Sequence, residues 1–245
     1  MSSLDPNPES AENSKSGIER EMKLLVPSLP DDLDLTQFPH SEISQAYFHK
    51  NTTIMLLEND GNPIQLIYLP DNTFERVPVS NEQYASLSEA ARAANSGSMV
   101  VDREASVRLR IKGDKMFQTI KIPSDLPEEE GVKSRKEIEF EIDRKQYQQL
   151  RKCIVGNIVN KTRYTLVDSD SFEVVCDVFR GYLDGLILVE AEAKGEKSFD
   201  KLELPSWLSE ARNVSNIFSF SNEVLSKIKQ ETLALLLYGT EQSEF

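Results

Sequence analysis

The stretch IEREMKLLV, Ile18 to Val26, decides how the fold is read. It carries Glu19, Glu21 and Lys23 at a spacing of two. In a β-strand that spacing puts all three side chains on one face. Taken alone, such a segment is an ordinary half-buried strand with a solvated side. The spacing recurs, however. Arg108, Arg110 and Lys112 share one face of VRLRIK, and Glu137, Glu139 and Glu141 share one face of EIEFEI. Lys161 and Arg163 form a further pair, as do Glu190 and Glu192. Apolar residues fill the alternate positions: Val107, Leu109 and Ile111 in one strand, Ile138, Phe140 and Ile142 in another. Each strand has a charged side and an apolar side, and beyond the mixed first strand the signs are sorted strand by strand.

Two arrangements give this pattern. One is a sheet with its charged face in water. The other is a closed barrel with charges inward and apolar faces packed outward against helices. The second takes charges out of water, which is costly unless an opposite charge, a metal or a ligand lies nearby. It therefore suits a highly charged guest. Guanidinium and ammonium groups fit phosphate oxygens, and clustered carboxylates fit Mg2+ or Mn2+, which bridge to phosphates.

The chain has 245 residues, enough for one large domain with decorations or two small ones. Lys and Arg number 28 against 41 Asp and Glu, giving a formal charge of −13. That balance argues against general nucleic-acid binding, which needs a basic surface, but it permits a concentrated basic pocket. Cys153 and Cys176 are far apart and give neither a disulfide framework nor a metal-binding spacing, so a reducing compartment is expected. Residues 1–17 are polar, without an apolar signal segment, and read as a disordered tail. LALLLY, Leu233 to Tyr238, is too short to span a bilayer. A soluble, cytoplasmic protein with no membrane partner is expected.

Further strands are expected at SEISQAYFHK, KMFQTIKI, NIVNKTRYTLV, SFEVVCDVF and LILVEAEA. Two apolar runs flanking Asn59-Asp60-Gly61-Asn62 predict a hairpin. An Ala-rich helix follows, capped by Ser80 or Asn81. Short helices are expected near 143–152 and 199–210. Val224, Leu225, Ile228, Leu235 and Leu236 form one stripe, predicting an amphipathic helix at about 222–238. A charge-lined lumen cannot take that stripe, which is expected on the outer face of the barrel or at one mouth. Phe179 and Trp207 are read as core, and the isolated His40 and His49 are assigned no role.

In chain order the segments read as follows. Glu19, Glu21 and Lys23 form Glu-x-Glu-x-Lys, and ISQAYF brings Gln45 and Tyr47. VRLRIK holds Arg-x-Arg, FQTIK ends on Lys121, and RKEIEFEI holds Glu-x-Glu. VNKTRY gives Lys-x-Arg-Tyr, CDVFRGYLDGLILVEAE runs from Asp177 to Glu192, and LPSWL precedes Asn222. This ordered set resembles the CYTH superfamily, the triphosphate tunnel metalloenzymes. The resemblance implies an α+β fold built on an eight-stranded antiparallel barrel, a tunnel for triphosphates, and a divalent ion, Mg2+ or Mn2+. The opening motif and the Trp-containing C-terminal part look most like the branch that hydrolyses inorganic tripolyphosphate. Nucleoside- and thiamine-triphosphatases and adenylyl cyclases share the tunnel, and a non-catalytic polyphosphate- or nucleotide-binding module is the reading from another class.

Carried onto this sequence, the resemblance implies metal ligands among Glu19, Glu21, Glu137, Glu139, Asp177, Glu190 and Glu192. It implies phosphate contacts from Lys23, Arg108, Arg110, Lys121, Lys161 and Arg163. Tyr47 and Lys161 are expected as a dyad handling the proton of the attacking water or the leaving phosphate, with simple packing of Tyr47 as the alternative. Two departures stand out. An insertion at about 51–102 lengthens the stretch between Tyr47 and Arg108, and Val175 stands where the family often has an acid.

Overall fold

The computed structural model describes residues 14–50, 52–59, 61–94, 105–123, 132–194 and 199–238, and all of their side chains except those of 14–19, 59, 201 and 238. In chain order the strands and helices are β1 (Ser14–Leu25), β2 (His40–Phe48), β3 (Thr53–Asn59), β4 (Asn62–Tyr68), β5 (Phe74–Pro78), α1 (Asn81–Ala93), β6 (Ser106–Lys112) and β7 (Lys115–Pro123). There follow β8 (Lys133–Ile142), α2 (Arg144–Leu150), β9 (Ile154–Asp168), β10 (Phe172–Arg180), β11 (Ile187–Ala193), β12 (Arg212–Asn213), α3 (Asn222–Leu225) and α4 (Gln230–Tyr238).

Eight strands pair in the order β11-β10-β9-β2-β6-β7-β8-β1, and β1 pairs again with β11, closing the barrel. Every neighbour is antiparallel. The seam sets Glu21 opposite Glu192 and Lys23 opposite Glu190. β1 starts at Ser14 and pairs with β8 from there, so it reaches into the segment expected to be a tail; residues 1–13 lie outside the described residues.

The alternation in sequence becomes an inside and an outside. Lys23, Arg108, Glu137, Glu139 and Lys161 are buried on the inner face, while Val107, Leu109, Ile120, Ile138 and Phe140 form core on the outer face. The insertion covers that outer face. Its expected hairpin carries a third strand, β5, making a separate sheet β3-β4-β5. Ile54, Ile67, Val77, Leu87 and Ala90 of the sheet and α1 join the same core. Ser80 caps α1 in a capping box with Gln83. The buried amides of Gln65 on β4 and Gln118 on β7 donate to each other, both at 3.0 Å, and bind the insertion to the barrel. On another outer face Leu24, Val174, Cys176, Val189 and Ala191 pack with Leu208, Trp207 and Phe199.

The C-terminal segment departs from one expectation and meets another. The helix expected over 222–238 is broken between α3 and α4. The Ser226 carbonyl leaves the helical pattern to accept from the Asn157 N–H at 2.7 Å. Gly156 beside it has φ +78°, and a Cβ there would lie 2.6 Å from that carbonyl oxygen, so the close approach needs glycine. The apolar stripe lies at one mouth of the barrel, one of the two places expected for it. Leu225 and Leu233 pack with Leu25, Val159, Phe179 and Leu188. Those four sit two residues along their strands from Lys23, Lys161, Asp177 and Glu190, and so share their faces. One end of the barrel interior is apolar, and α3 and α4 plug it, while Leu235 remains 69 % exposed. Among the described residues no helix is long and apolar enough to cross a membrane.

Candidate active site

The barrel encloses a cavity of about 610 Å3 that opens to solvent. Six of its cations were expected from sequence: Lys23, Arg108, Arg110, Lys121, Lys161 and Arg163. Lys50, Lys112, Lys133 and Arg135 bring the described total to ten. Seven carboxylates face the same space: Glu21, Glu137, Glu139, Glu173, Glu190, Glu192 and Glu223. In a chain of formal charge −13 the described wall of this cavity is thus net cationic by three.

The charges form two linked groups. On β6, β7 and β8, Arg110 is ion-paired with Glu139, Lys121 with Glu137, and Arg108 reaches both carboxylates at 3.5 Å. The Thr119 hydroxyl donates to Glu139 at 2.7 Å. On β1, β9, β10 and β11, Arg163 donates through Nε and Nη2 to both oxygens of Asp177, each at 2.7 Å. Glu190 receives Arg163 and, at 3.0 Å, Lys23. Lys161 is ion-paired with Asp177. The alternating strand geometry places each of these groups, and the antiparallel register sets acids beside bases.

Burial and charge compete at each site. Burial lifts the Glu190 carboxyl, but Lys23, Lys161 and Arg163 outweigh it and hold it well below the usual carboxylate range. Burial likewise raises Glu21, and Lys23 and Lys121 bring it below its ordinary value. Burial pushes the Lys161 ammonium down to about 8, against the pull of Asp177. Burial raises the Tyr47 hydroxyl, opposed by Arg108, Lys121 and Lys23.

Several expected site residues stand differently from expectation. Tyr47 and Lys161 both line the cavity but form no dyad: the Tyr47 hydroxyl accepts from the Gln45 amide at 3.1 Å, and Lys161 is held by Asp177. A desolvated ammonium takes the nearest counter-charge in preference to a neutral phenol. Asp177 itself is fully buried behind Lys161 and Arg163 and does not line the cavity. Glu141, which shares the face of Glu137 and Glu139 but was not expected in the site, does not line the cavity and is ion-paired with Lys115 at 3.5 Å. Glu19 lies on β1 opposite Arg135, and its side chain is outside the described set.

Val175 does line the cavity as an apolar residue, but Glu173, two residues earlier on β10, lines it too. Glu173 pairs in register with Glu192, which pairs with Glu21, so three adjacent strands present a row of carboxylates. Sequence reading passed over Glu173, Lys133 and Arg135, although the same alternation marks them: Glu173-Val175-Asp177, and Lys133-Arg135-Glu137-Glu139. Among the described residues no three His, Cys, Asp or Glu side chains form a group that holds a metal ion unaided. Cys153 and Cys176 are free and buried, and burial pushes both thiols up to about 12.

No protein-family model matches the chain. A curated relative, the inorganic triphosphatase of Nitrosomonas europaea, is 39% identical over 106 residues, which is 42% of this chain. The chain spans 64% of that relative's length. The solved structure of the hypothetical protein NE1496 is 21% identical, with 86% of this chain and 99% of that one covered and a TM-score of 0.43. The solved structure of the inorganic triphosphatase NE1496 is 22% identical, with 85% and 93% covered and a TM-score of 0.41. Both superpositions are loose. The closed eight-stranded antiparallel barrel matches the triphosphate tunnel fold.

Proposed function

We propose that this chain hydrolyses a triphosphate inside the barrel, inorganic tripolyphosphate first, in a reaction that depends on a divalent cation. The observation that carries the reading is the net cationic cavity in a strongly acidic chain. Sequence similarity to a protein named inorganic triphosphatase supports it. Arg108, Arg110 and Lys121 on one wall, with Lys23, Lys161 and Arg163 on the other, exchange carboxylate partners for phosphate oxygens. Arginine forks hold such oxygens in pairs, which fixes the chain of phosphates in line.

The donor set fits Mg2+ or Mn2+. Glu21, Glu173 and Glu192 offer only carboxylate oxygen, with Glu19 on the same strand as Glu21. Mg2+ is ordinarily held by one or two carboxylates plus substrate phosphates, so a protein wall that is incomplete by itself suits it. When bound there, the ion supplies charge neutralisation and a lowered pKa of water. Glu137, Glu139, Glu190 and Asp177 act mainly as counter-ions that hold the cations in place. Lys161, with its ammonium near 8, takes a proton from the attacking water in its neutral form. The plug of α3 and α4 keeps water from one end of the site. Free, buried cysteines agree with a cytoplasmic setting.

The test is phosphate release from tripolyphosphate, ATP and thiamine triphosphate, each with Mg2+ and with Mn2+. Metal-dependent release, greatest from tripolyphosphate, is expected. Tight binding of tripolyphosphate without any release would replace the enzyme by a binding module.

A further inference from the structure

A second cavity, of about 490 Å3, lies beside the lumen. His49 and Lys50 just past β2, Val155 and Gly156 at the start of β9, and Lys227 between α3 and α4 line it. Three of those five residues are basic, in a chain of formal charge −13. Two of the three also belong to the charge balance of the lumen. Lys50 lines both cavities. Its Nζ stands 4.7 Å from the Phe218 ring centroid, and among the described residues no carboxylate pairs with it. Lys227 is ion-paired at 2.9 Å with Glu223, which lines the lumen.

Two ammonium groups and an imidazole around one cavity suit an anion with several oxygens. Tripolyphosphate and water yield one orthophosphate and one pyrophosphate, and both have that form. We infer that this outer cavity is a site for small inorganic phosphates, and that filling it weakens triphosphate binding in the lumen. The second half rests on the triphosphate reading of the lumen; the first does not. The sign of the coupling follows from the shared charges. An anion in the outer cavity draws Lys50 out of the lumen and takes Lys227 from Glu223. The lumen then loses a cation and keeps an uncompensated carboxylate, and both changes oppose a polyanion. Reciprocally, triphosphate in the lumen weakens the outer anion by the same factor. Product that accumulates thus slows the next loading of the barrel.

The test is calorimetric titration of the full chain with tripolyphosphate in chelating buffer, so that turnover does not intervene. It is repeated at rising fixed concentrations of orthophosphate, at constant ionic strength. A separate, coupled site makes the apparent Kd for tripolyphosphate rise by about fivefold or more and then level off. A rise in proportion to added orthophosphate, without a plateau, means competition inside the lumen and overturns the inference. His49 does not line the lumen, so His49→Gln should keep the parental affinity without orthophosphate and need severalfold more of it to reach half the effect. Lys227→Gln should weaken tripolyphosphate even without orthophosphate, because Glu223 loses its partner, and should blunt the further response. Lys227 is exposed and His49 half-buried, so melting temperatures near the parental value verify folding. A response to orthophosphate unchanged in both variants overturns the site. If the parent binds no tripolyphosphate, the triphosphate reading fails instead. Direct titration with orthophosphate then still decides the outer site, which stands if His49→Gln weakens that binding severalfold and falls if it does not.

Discussion

Four strands of the barrel change character within two residues. On β1, β9, β10 and β11 the inward positions Lys23, Lys161, Asp177 and Glu190 are followed, toward one end, by Leu25, Val159, Phe179 and Leu188. The charged stretch keeps its desolvated groups through mutual ion pairs and surrounds an open cavity. The apolar stretch is packed by Leu225 and Leu233. The same strand backbone thus serves a polar lumen and a dry plug. The difference teaches that the plug carries packing energy, while the lumen trades stability for a place to bind charge.

The largest expected effect lies in the plug. Phe179→Ala should cost about 3–5 kcal/mol of unfolding free energy, the usual range for a buried aromatic truncated in a packed core. Denaturant titration measures it, and a loss below 1 kcal/mol would mean that α3 and α4 do not depend on this contact.

The lumen should answer differently. Arg108→Ala and Arg163→Ala should each weaken triphosphate binding by about 1.5–3 kcal/mol, as for a lost charge-assisted contact. Their unfolding free energy should fall by less than in Phe179→Ala. Calorimetry showing parental affinity would remove that arginine from the site.

Gly156→Ala tests the hinge between the two regions. The positive φ and the collision with the Ser226 carbonyl should together cost about 1–3 kcal/mol. Amide exchange at Asn157 should accelerate, since its bond to Ser226 holds the break between α3 and α4. Slow exchange in the variant would show that the plug has adjusted without loss.

The smallest effect is one of pH. If neutral Lys161 accepts the proton, turnover should rise with pH through about 8 and then level off. Asp177 raises that value, so Asp177→Asn should move the rise to lower pH. The sign for stability follows from the same depression. The unfolded chain binds this proton more tightly, so stability due to this group rises between about 8 and the ordinary 10.5. A turnover profile flat from pH 6 to 10 would remove Lys161 as the base.

The inward face was legible because period-two charge alternation has one meaning on a strand. Glu173, Lys133 and Arg135 obey the same rule but escaped notice: Val175 interrupts one run, and KSRK looks like loop. β5, with Pro78 at its end and few apolar residues, has weak strand character of its own and exists because β4 offers it an edge. The break at Ser226 was invisible, since helical periodicity continues through it and only a bond from a distant strand interrupts it.

By itself, then, the order of residues determined the barrel strands, which face turns inward, and the sign of charge each contributes. Those follow from local alternation, which needs no knowledge of neighbours. Tertiary structure alone decided which carboxylate meets which cation, that Lys161 pairs with Asp177 and not Tyr47, and that the C-terminal leucines fill the barrel's end. These depend on register, closure and the desolvation that closure imposes, and a charge finds its partner only once water has been excluded around it.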